Sequence, residues 1–197
     1  MSLELSGTTG VKGVAGSVSA PSIVGDDTNT GISFPAADTI KFSTGGIERV
    51  LMSDTSFPRV IQVQKVINTL QKTTTSTSFV TTGISVNITP KDANSQIFIA
   101  TSNAAYNDAN TAHTYFTIYR DSTNLGSSSN GLTLMSAGAS SASARWNPFA
   151  ITYIDHPNTS SQVTYALYWK IGSQGGTSYI SYSNQMPLPF VVFEVAG

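Results

Sequence analysis

The chain has 197 residues, a formal net charge of −1 and only 11% charged residues, against roughly 25% in an average soluble domain. That leaves no basic footprint for nucleic acid and no polybasic patch for a membrane surface. The absence of cysteine excludes disulfides, thiolate catalysis and cysteine-based zinc sites, and leaves the redox compartment open.

Serine and threonine make up roughly a quarter of the sequence, a bias towards turns and β-structure. The opening "MSLELSGTTGVKG" has no basic region followed by an apolar run, so no signal peptide is expected. No apolar stretch approaches the roughly 20 residues of a membrane helix, so no membrane insertion is expected.

Residues 1–58 are rich in glycine, poor in large apolar side chains, and offer two hairpins. "DTIKFS" and "IERVLM" flank "TGG", a tight connection between strands. An isolated hairpin is marginal in water, so the segment needs partners, which identical chains wound around a three-fold axis would supply. The domain boundary is expected near "SDTSFPR", Ser53 to Arg59.

Inside that segment, "GDDTNTGISFPAADTIKFSTGG" (Gly25 to Gly46) combines adjacent acids, glycines and hydroxyls. An EF-type calcium loop needs oxygen ligands at alternate positions and a later Glu. Counting from Asp27, the third ligand position falls on Gly31 and the twelfth on Asp38; counting from Asp26 fails as well. Asp and Asn are the commonest turn formers, because their side chains bond nearby backbone N–H groups. Asp26, Asp27 and Asn29 are therefore expected to bond the backbone around a positive-φ turn at Gly31, with Phe34, Ile40 and Phe42 packing towards neighbours. No metal and no cofactor is expected. "GTTGVKGVAG" places Val11 between Gly10 and Lys12 with no helix after it, and "GVAGSVSA" lacks a βαβ frame, so neither is a phosphate or dinucleotide loop.

The next stretch, "RVIQVQKVINTLQK", carries Val63, Val66, Ile67 and Leu70 at helix-like spacing. It also alternates Ile61 and Val63 against Gln62 and Gln64, and its β-branched residues favour strand over a short helix. Strands then follow at "GISVNIT" (83–89), "SQIFIATS" (95–102), "HTYFTIYR" (113–120), "FAITYID" (149–155), "QVTYALYWKI" (162–171), "TSYISYS" (177–183) and "PFVVFEVA" (189–196). Turn signals lie between them at 90–94, 121–126, 155–161 and 172–176. So many short strands, with no helix to cross between parallel neighbours, argue an antiparallel sandwich or jelly roll over 59–197.

Catalytic groups are sparse. His113 opens a strand and reads as an edge histidine. His156 lies in "YIDHPN", where Asp155 reads as a turn cap rather than the orienting acid of a triad. The acids of the β domain are Asp92, Asp108, Asp121, Asp155 and Glu194, and spacing alone brings no two of them together for glycoside cleavage. The chain is not expected to be an enzyme.

"GVAGSVSAPSIVGDDTNTGISFPAADTIKFSTGGIERVLM" resembles a segment that recurs in tail-fibre and related structural proteins of bacteriophages, cyanobacterial phages among them. The resemblance rests on Gly25–Ile32, "FPAAD" at 34–38 and "GIER" at 46–49. The second part is similar to a domain at the end of such fibres, through "TGISVNITPKDANSQIFI", "YIDHPNTSSQVTYALYWKI", "GGTSYIS" and "FEVAG" in that order. It implies an all-β, homotrimeric virion fibre or appendage, made in the host cytoplasm and partnered by other tail or baseplate proteins. Its fold would be a short intertwined N-terminal β segment (1–58) followed by an antiparallel, jelly-roll-like β-sandwich (59–197). No catalytic residue carries over, and at this length the fibre would lack a long shaft or anchoring region.

Three functions compete: a host-surface adhesin, a purely structural virion part such as a spacer, collar or head decoration, and a glycan-cleaving or esterase domain. For an adhesin, binding falls in the connections 103–112 and 121–148, since loops on a rigid scaffold vary freely. Tyr106, Asn107, Asp108 and Trp146 are the candidate residues, suited to a host-surface glycan by aromatic stacking and amide or hydroxyl hydrogen bonds. The competing reading is that Tyr106 and Trp146 cap the core or a subunit interface.

Overall fold

The computed structural model describes residues 4–6, 10–12, 14–53, 60–109, 112–136, 146–173, 175–181 and 185–196. The chain divides into two compact units, 1–58 and 59–197. Most of the expected boundary, 54–59, lies outside the described residues, as do 110–111 and 137–145 of the two expected binding loops and 182–183 of the strand expected over 177–183. All described regular structure is β, and every strand pair is antiparallel.

In the first unit, β1 (Glu4–Ser6) pairs with β2 (Gly10–Lys12). A four-stranded meander follows: β3 (Ile23–Val24), β4 (Gly31–Ser33), β5 (Ile40–Thr44) and β6 (Ile47–Met52). The expected tight connection joins β5 to β6, where Gly45 and Gly46 both take positive φ, 60° and 72°. A two-residue hairpin loop of that shape requires positive φ at both central positions, which glycine adopts at least cost. Register aligns Ile23, Ile32, Phe42 and Val50 across all four strands. Ile23, Phe42 and Val50 of that row are exposed, as are Phe34 and Met52.

The 25–31 stretch is a turn, built differently from the expectation. Asp27 Oδ1 accepts from the Asn29 N–H at 3.2 Å, and Oδ2 accepts from the Thr30 hydroxyl at 2.6 Å. These two donors hold the exposed Asp27 carboxyl below its ordinary range. The Thr30 hydroxyl accepts from the Gly45 N–H (3.1 Å) and the Asn29 carbonyl from the Gly46 N–H (2.9 Å), so the loop fastens the hairpin tip. Asp26 makes no side-chain hydrogen bond among the described residues and is exposed, which corrects its expected part in the turn. Gly31 is also corrected: its φ is not positive, and it is the first residue of β4. A Cβ there would lie 1.9 Å from the Ile23 carbonyl oxygen, so glycine is required by the close approach of β3.

The second unit is a two-sheet sandwich. Its principal strands are β7 (Val60–Asn68), β9 (Val80–Ile88), β10 (Gln96–Asn107), β11 (His113–Arg120), β13 (Thr133–Ser136), β14 (Asn147–Asp155), β15 (Val163–Ile171) and β17 (Leu188–Val195). One sheet runs β7-β17-β10-β14 and the other β9-β15-β11-β13. Counted in chain order as strands one to eight, these read 1-8-3-6 and 2-7-4-5, the interleaved Greek keys of a jelly roll. The short strands β8 (Lys72–Thr74), β12 (Thr123–Asn124) and β16 (Ser178–Ile180) pair at the margins.

Period-two alternation makes the core. Ile84, Val86 and Ile88 of β9, Ile97 and Ile99 of β10, Phe116 and Ile118 of β11, Leu167 and Trp169 of β15, and Phe190 and Val192 of β17 form one buried cluster. The Phe116 and Phe149 rings stack at 3.9 Å at its centre. Gly83, at φ +77°, lies where β9 slips register on β15, and the Thr82 hydroxyl donates to the Leu167 carbonyl at 2.8 Å there. The stretch from 60 is strand, and its helix-like spacing arises because β7 is apolar on both faces.

Candidate aromatic binding site

The connection expected over 103–112 is much shorter. Strand β10 continues to Asn107, held by β14 on one side and β16 on the other, and 121–148 contains β12 and β13. Asn103 and the two alanines after it are weak strand formers, but pairing with β14 keeps them extended, and Ala105 pairs with β16 as well. Tyr106 is therefore a strand residue. Alternation then decides the fate of its neighbours.

Asn107 turns inward and is 3% exposed, so it is not a ligand-facing group. Its Nδ2 donates to Ser178 Oγ at 2.9 Å, its Oδ1 accepts from the Ala109 N–H at 2.9 Å, and Ser178 Oγ is hydrogen-bonded to Thr114 Oγ1. Burying these polar groups costs little because each is satisfied. The chain of bonds fixes the end of β10 against β16.

Tyr106 faces outward opposite Tyr179 of β16, their rings stacked at 5.6 Å and 21°. The Trp146 ring lies 5.9 Å from Tyr106 on its other side, tilted by 42°. Asp108 is exposed beyond them. Its Oδ1 accepts from the Thr177 N–H at 2.6 Å, its own N–H donates to the Thr177 carbonyl at 3.1 Å, and its Oδ2 lies 3.5 Å from the Tyr179 hydroxyl. Gly176, at φ +87°, makes this possible, since a Cβ there would come within 2.7 Å of Asp108 Oδ1.

Further along the same face, small side chains leave a shallow hollow of about 540 Å³, lined by Ser102, Asn103, Ala104, Pro148, Phe149, Ala150 and Met186. One face thus carries a row of three rings, a carboxylate with lone pairs to spare and an apolar hollow. Such a surface stacks on a flat apolar ring face and accepts hydroxyl hydrogen bonds.

Three of the four candidate residues, Tyr106, Asp108 and Trp146, come together, and Asn107 supports them from below. Tyr179 and Thr177 were missed, because their pairing with Tyr106 and Asp108 is set by register between distant strands.

Asp155 is not a turn cap. It is buried at the end of β14, where Arg120 Nη1 donates to both its oxygens and Tyr165 Oη donates to Oδ2. His156 is exposed, and His113 is half-buried with its ring edge-on to Tyr115 at 6.0 Å. Among the described residues, no three His, Asp or Glu side chains gather as a metal site, and no helix is long and apolar enough to cross a membrane.

No protein-family model matches the sequence, and no curated protein does. Among solved structures, the chain is similar to the infectious bursal disease virus VP2 subviral particle, with TM-score 0.35 and 11% identity over 87% of this chain and 47% of that one. It is also similar to the T13 particle of that virus (TM-score 0.37, 11% identity, 92% of this chain and 54% of that one). For the Gx strain of the virus the TM-score is 0.33 at 13% identity, over 92% and 58%. The chain spans about half the length of these structures.

Proposed function

We propose that the chain is a structural part of a virus particle, a homotrimeric bacteriophage tail fibre that attaches to the host cell through its sandwich unit and binds without turnover. The fibre motifs of residues 13–52 and their order with those of the sandwich support the virion assignment. The single observation that carries attachment is the outward row of Tyr179, Tyr106 and Trp146 with Asp108 at its end. Stacking of this kind contributes about 0.5–1.5 kcal/mol per ring beyond area, so each site is weak. Three copies on one particle raise the effective concentration and turn weak sites into firm adhesion. The low charge of the chain fits neutral glycans better than acidic ones.

Binding of the purified protein to an array of bacterial surface glycans tests this, alongside Tyr106→Ala and Tyr179→Ala. Binding by the wild type that falls at least ten-fold in both folded variants is expected. Undiminished binding in both would remove this surface from the site. Absence of wild-type binding, with antibody labelling on particles, would favour the second reading, a virion part that contacts other virion proteins alone. The exposed apolar row on residues 23–50 is the observation on its side.

A further inference from the structure

The two outer faces of the sandwich differ in kind. On the β9-β15-β11 side, Ser85, Asn87 and Thr164 face out, and Tyr119 and Tyr168 stack at 3.9 Å. Hydroxyls and amides suit water. On the β7-β17-β10-β14 side, β17 reads "LPFVVFEV": Leu188, Phe190 and Val192 are buried inward, and Pro189, Val191, Phe193 and Val195 point outward. A strand apolar on both faces has the composition of one covered on both faces.

Register extends that outer face across four strands. Phe193 lies opposite Val63 and Phe98, with the two rings 5.9 Å apart, and Phe98 lies opposite Ile154. Pro189 lies opposite Ile67 and Val191 opposite Ala100. Val63, Ile67 and Ile154 are 47%, 54% and 52% exposed. Among the described residues of these four strands, the one charged side chain that points to this face is Lys65, on the outermost strand; Asp108 lies beyond the end of β10. In the other unit, Ile23, Ile32, Phe42 and Val50 form a second uncovered row.

We infer that both faces are contact surfaces between copies of this chain, which rests on the trimeric reading above and names the surfaces it uses. Area and charge together select that occupant. Four strands about 4.8 Å apart and roughly seven residues long give the sandwich face on the order of 400 Å² in projection, and the shorter sheet adds about 250 Å². Together they approach the ~800 Å² that each partner contributes to a stable pair, which neither reaches alone. Interfaces between identical subunits are apolar and depleted of charge at their centres, whereas a partner attracted by charge would find only Lys65 on one margin and Asp108 beyond the end of β10. The aromatic site lies at the far end of β10 from Phe98, so covering the aliphatic end leaves that site open.

Sedimentation velocity at micromolar concentration, with thermal melts of each variant, tests the assignment. The wild type is expected to sediment as a trimer. Val63→Glu/Ile67→Glu and, separately, Ile154→Glu are expected to weaken association at least ten-fold while melting cooperatively. Ser85→Glu/Asn87→Glu, on the polar face, should leave the trimer intact. A wild-type trimer that both face variants preserve overturns this surface and spares the trimer. A monomeric wild type overturns both. Equal dissociation of the polar-face control shows a general charge effect and also overturns it. If a glutamate variant fails to melt cooperatively, Ile154→Ser decides in its place.

Discussion

Tyr165 donates its hydroxyl hydrogen to Asp155 Oδ2 at 2.6 Å, while Arg120 Nη1 holds both oxygens of the same acid at 2.9 and 2.8 Å. Tyr165 is fully buried and Asp155 nearly so. Removing the acid would strand a guanidinium and a phenol, whereas removing the phenol leaves the ion pair in place. Asp155→Ala is expected to cost about 3–5 kcal/mol, and Tyr165→Phe about 1–1.5 kcal/mol. Denaturant melts of the sandwich transition read the difference, and equal costs would contradict the ranking.

The same contact sets an alkaline limit. Burial, then the hydrogen bond and charge of Asp155, push the Tyr165 hydroxyl far above its ordinary range. A raised folded pKa means stabilisation that is complete below the unfolded value, about pH 10, and is lost as pH rises beyond it. Tyr165→Phe should lack that share of the alkaline slope. Paired melts between pH 9 and 11 check it.

Glu194 sets an acid limit. Burial would raise its pKa, but the Gln62 amide at 2.6 Å and the Lys91 N–H at 2.6 Å, with the Asp92 backbone, outweigh burial and hold it below the ordinary range. A depressed folded pKa gives stabilisation present above the unfolded value, near pH 4.3, and lost as pH falls through the folded one. Glu194→Gln should flatten stability between pH 5 and 2. An unchanged acid slope would show that other carboxylates dominate.

Gly31→Ala should disrupt residues 14–52 more than Asp27→Ala. The added Cβ meets the Ile23 carbonyl at 1.9 Å, which puts the cost near the upper end for overpacking, about 3 kcal/mol. Asp27→Ala loses turn hydrogen bonds worth about 1 kcal/mol, and Asp26→Ala should be nearly silent. Hydrogen exchange at β3 and β4 measures all three.

Gly176→Ala should weaken glycan binding without touching a ring. Its Cβ would displace Asp108 from the Thr177 N–H, and an alanine at φ +87° is strained. A several-fold loss of array binding with an unchanged Tyr106–Tyr179 stack is expected. Full binding would show that the Asp108 carboxylate takes no part.

What the sequence disclosed follows from the physics of each element. Strands with one wet face, such as β9 and β11, announce themselves by alternation, and β11 matches its expected span residue for residue. The short strands β8 and β13 carry too few residues to show a period, and β10 outran its local propensity because two neighbours hold it. The proximity of Tyr106 and Asp108 was legible for the same reason that Tyr179 stayed hidden. A tyrosine and an aspartate two positions apart are visible along the chain, but a stacking partner on β16 is set only by register. In sequence, Gly31, a glycine forced by a neighbouring carbonyl, looks the same as one forced by φ, so the turn expected there is a strand start instead.

The position of β17 has a consequence for synthesis. It lies between β7 and β10, and Val195 pairs with Val60 across nearly the whole sandwich unit. Until residues 188–195 have left the ribosome, β7 lacks its one sheet neighbour among the described strands, and Phe190 and Val192 are missing from the core. Closing such distant pairs is slow, because chain entropy is lost before the contacts form. Nascent chains should therefore spend their elongation time unfolded and apolar, and a ribosome-stalled chain ending before residue 188 should be protease-sensitive throughout 60–171, whereas one extended past 195 by a linker should be resistant.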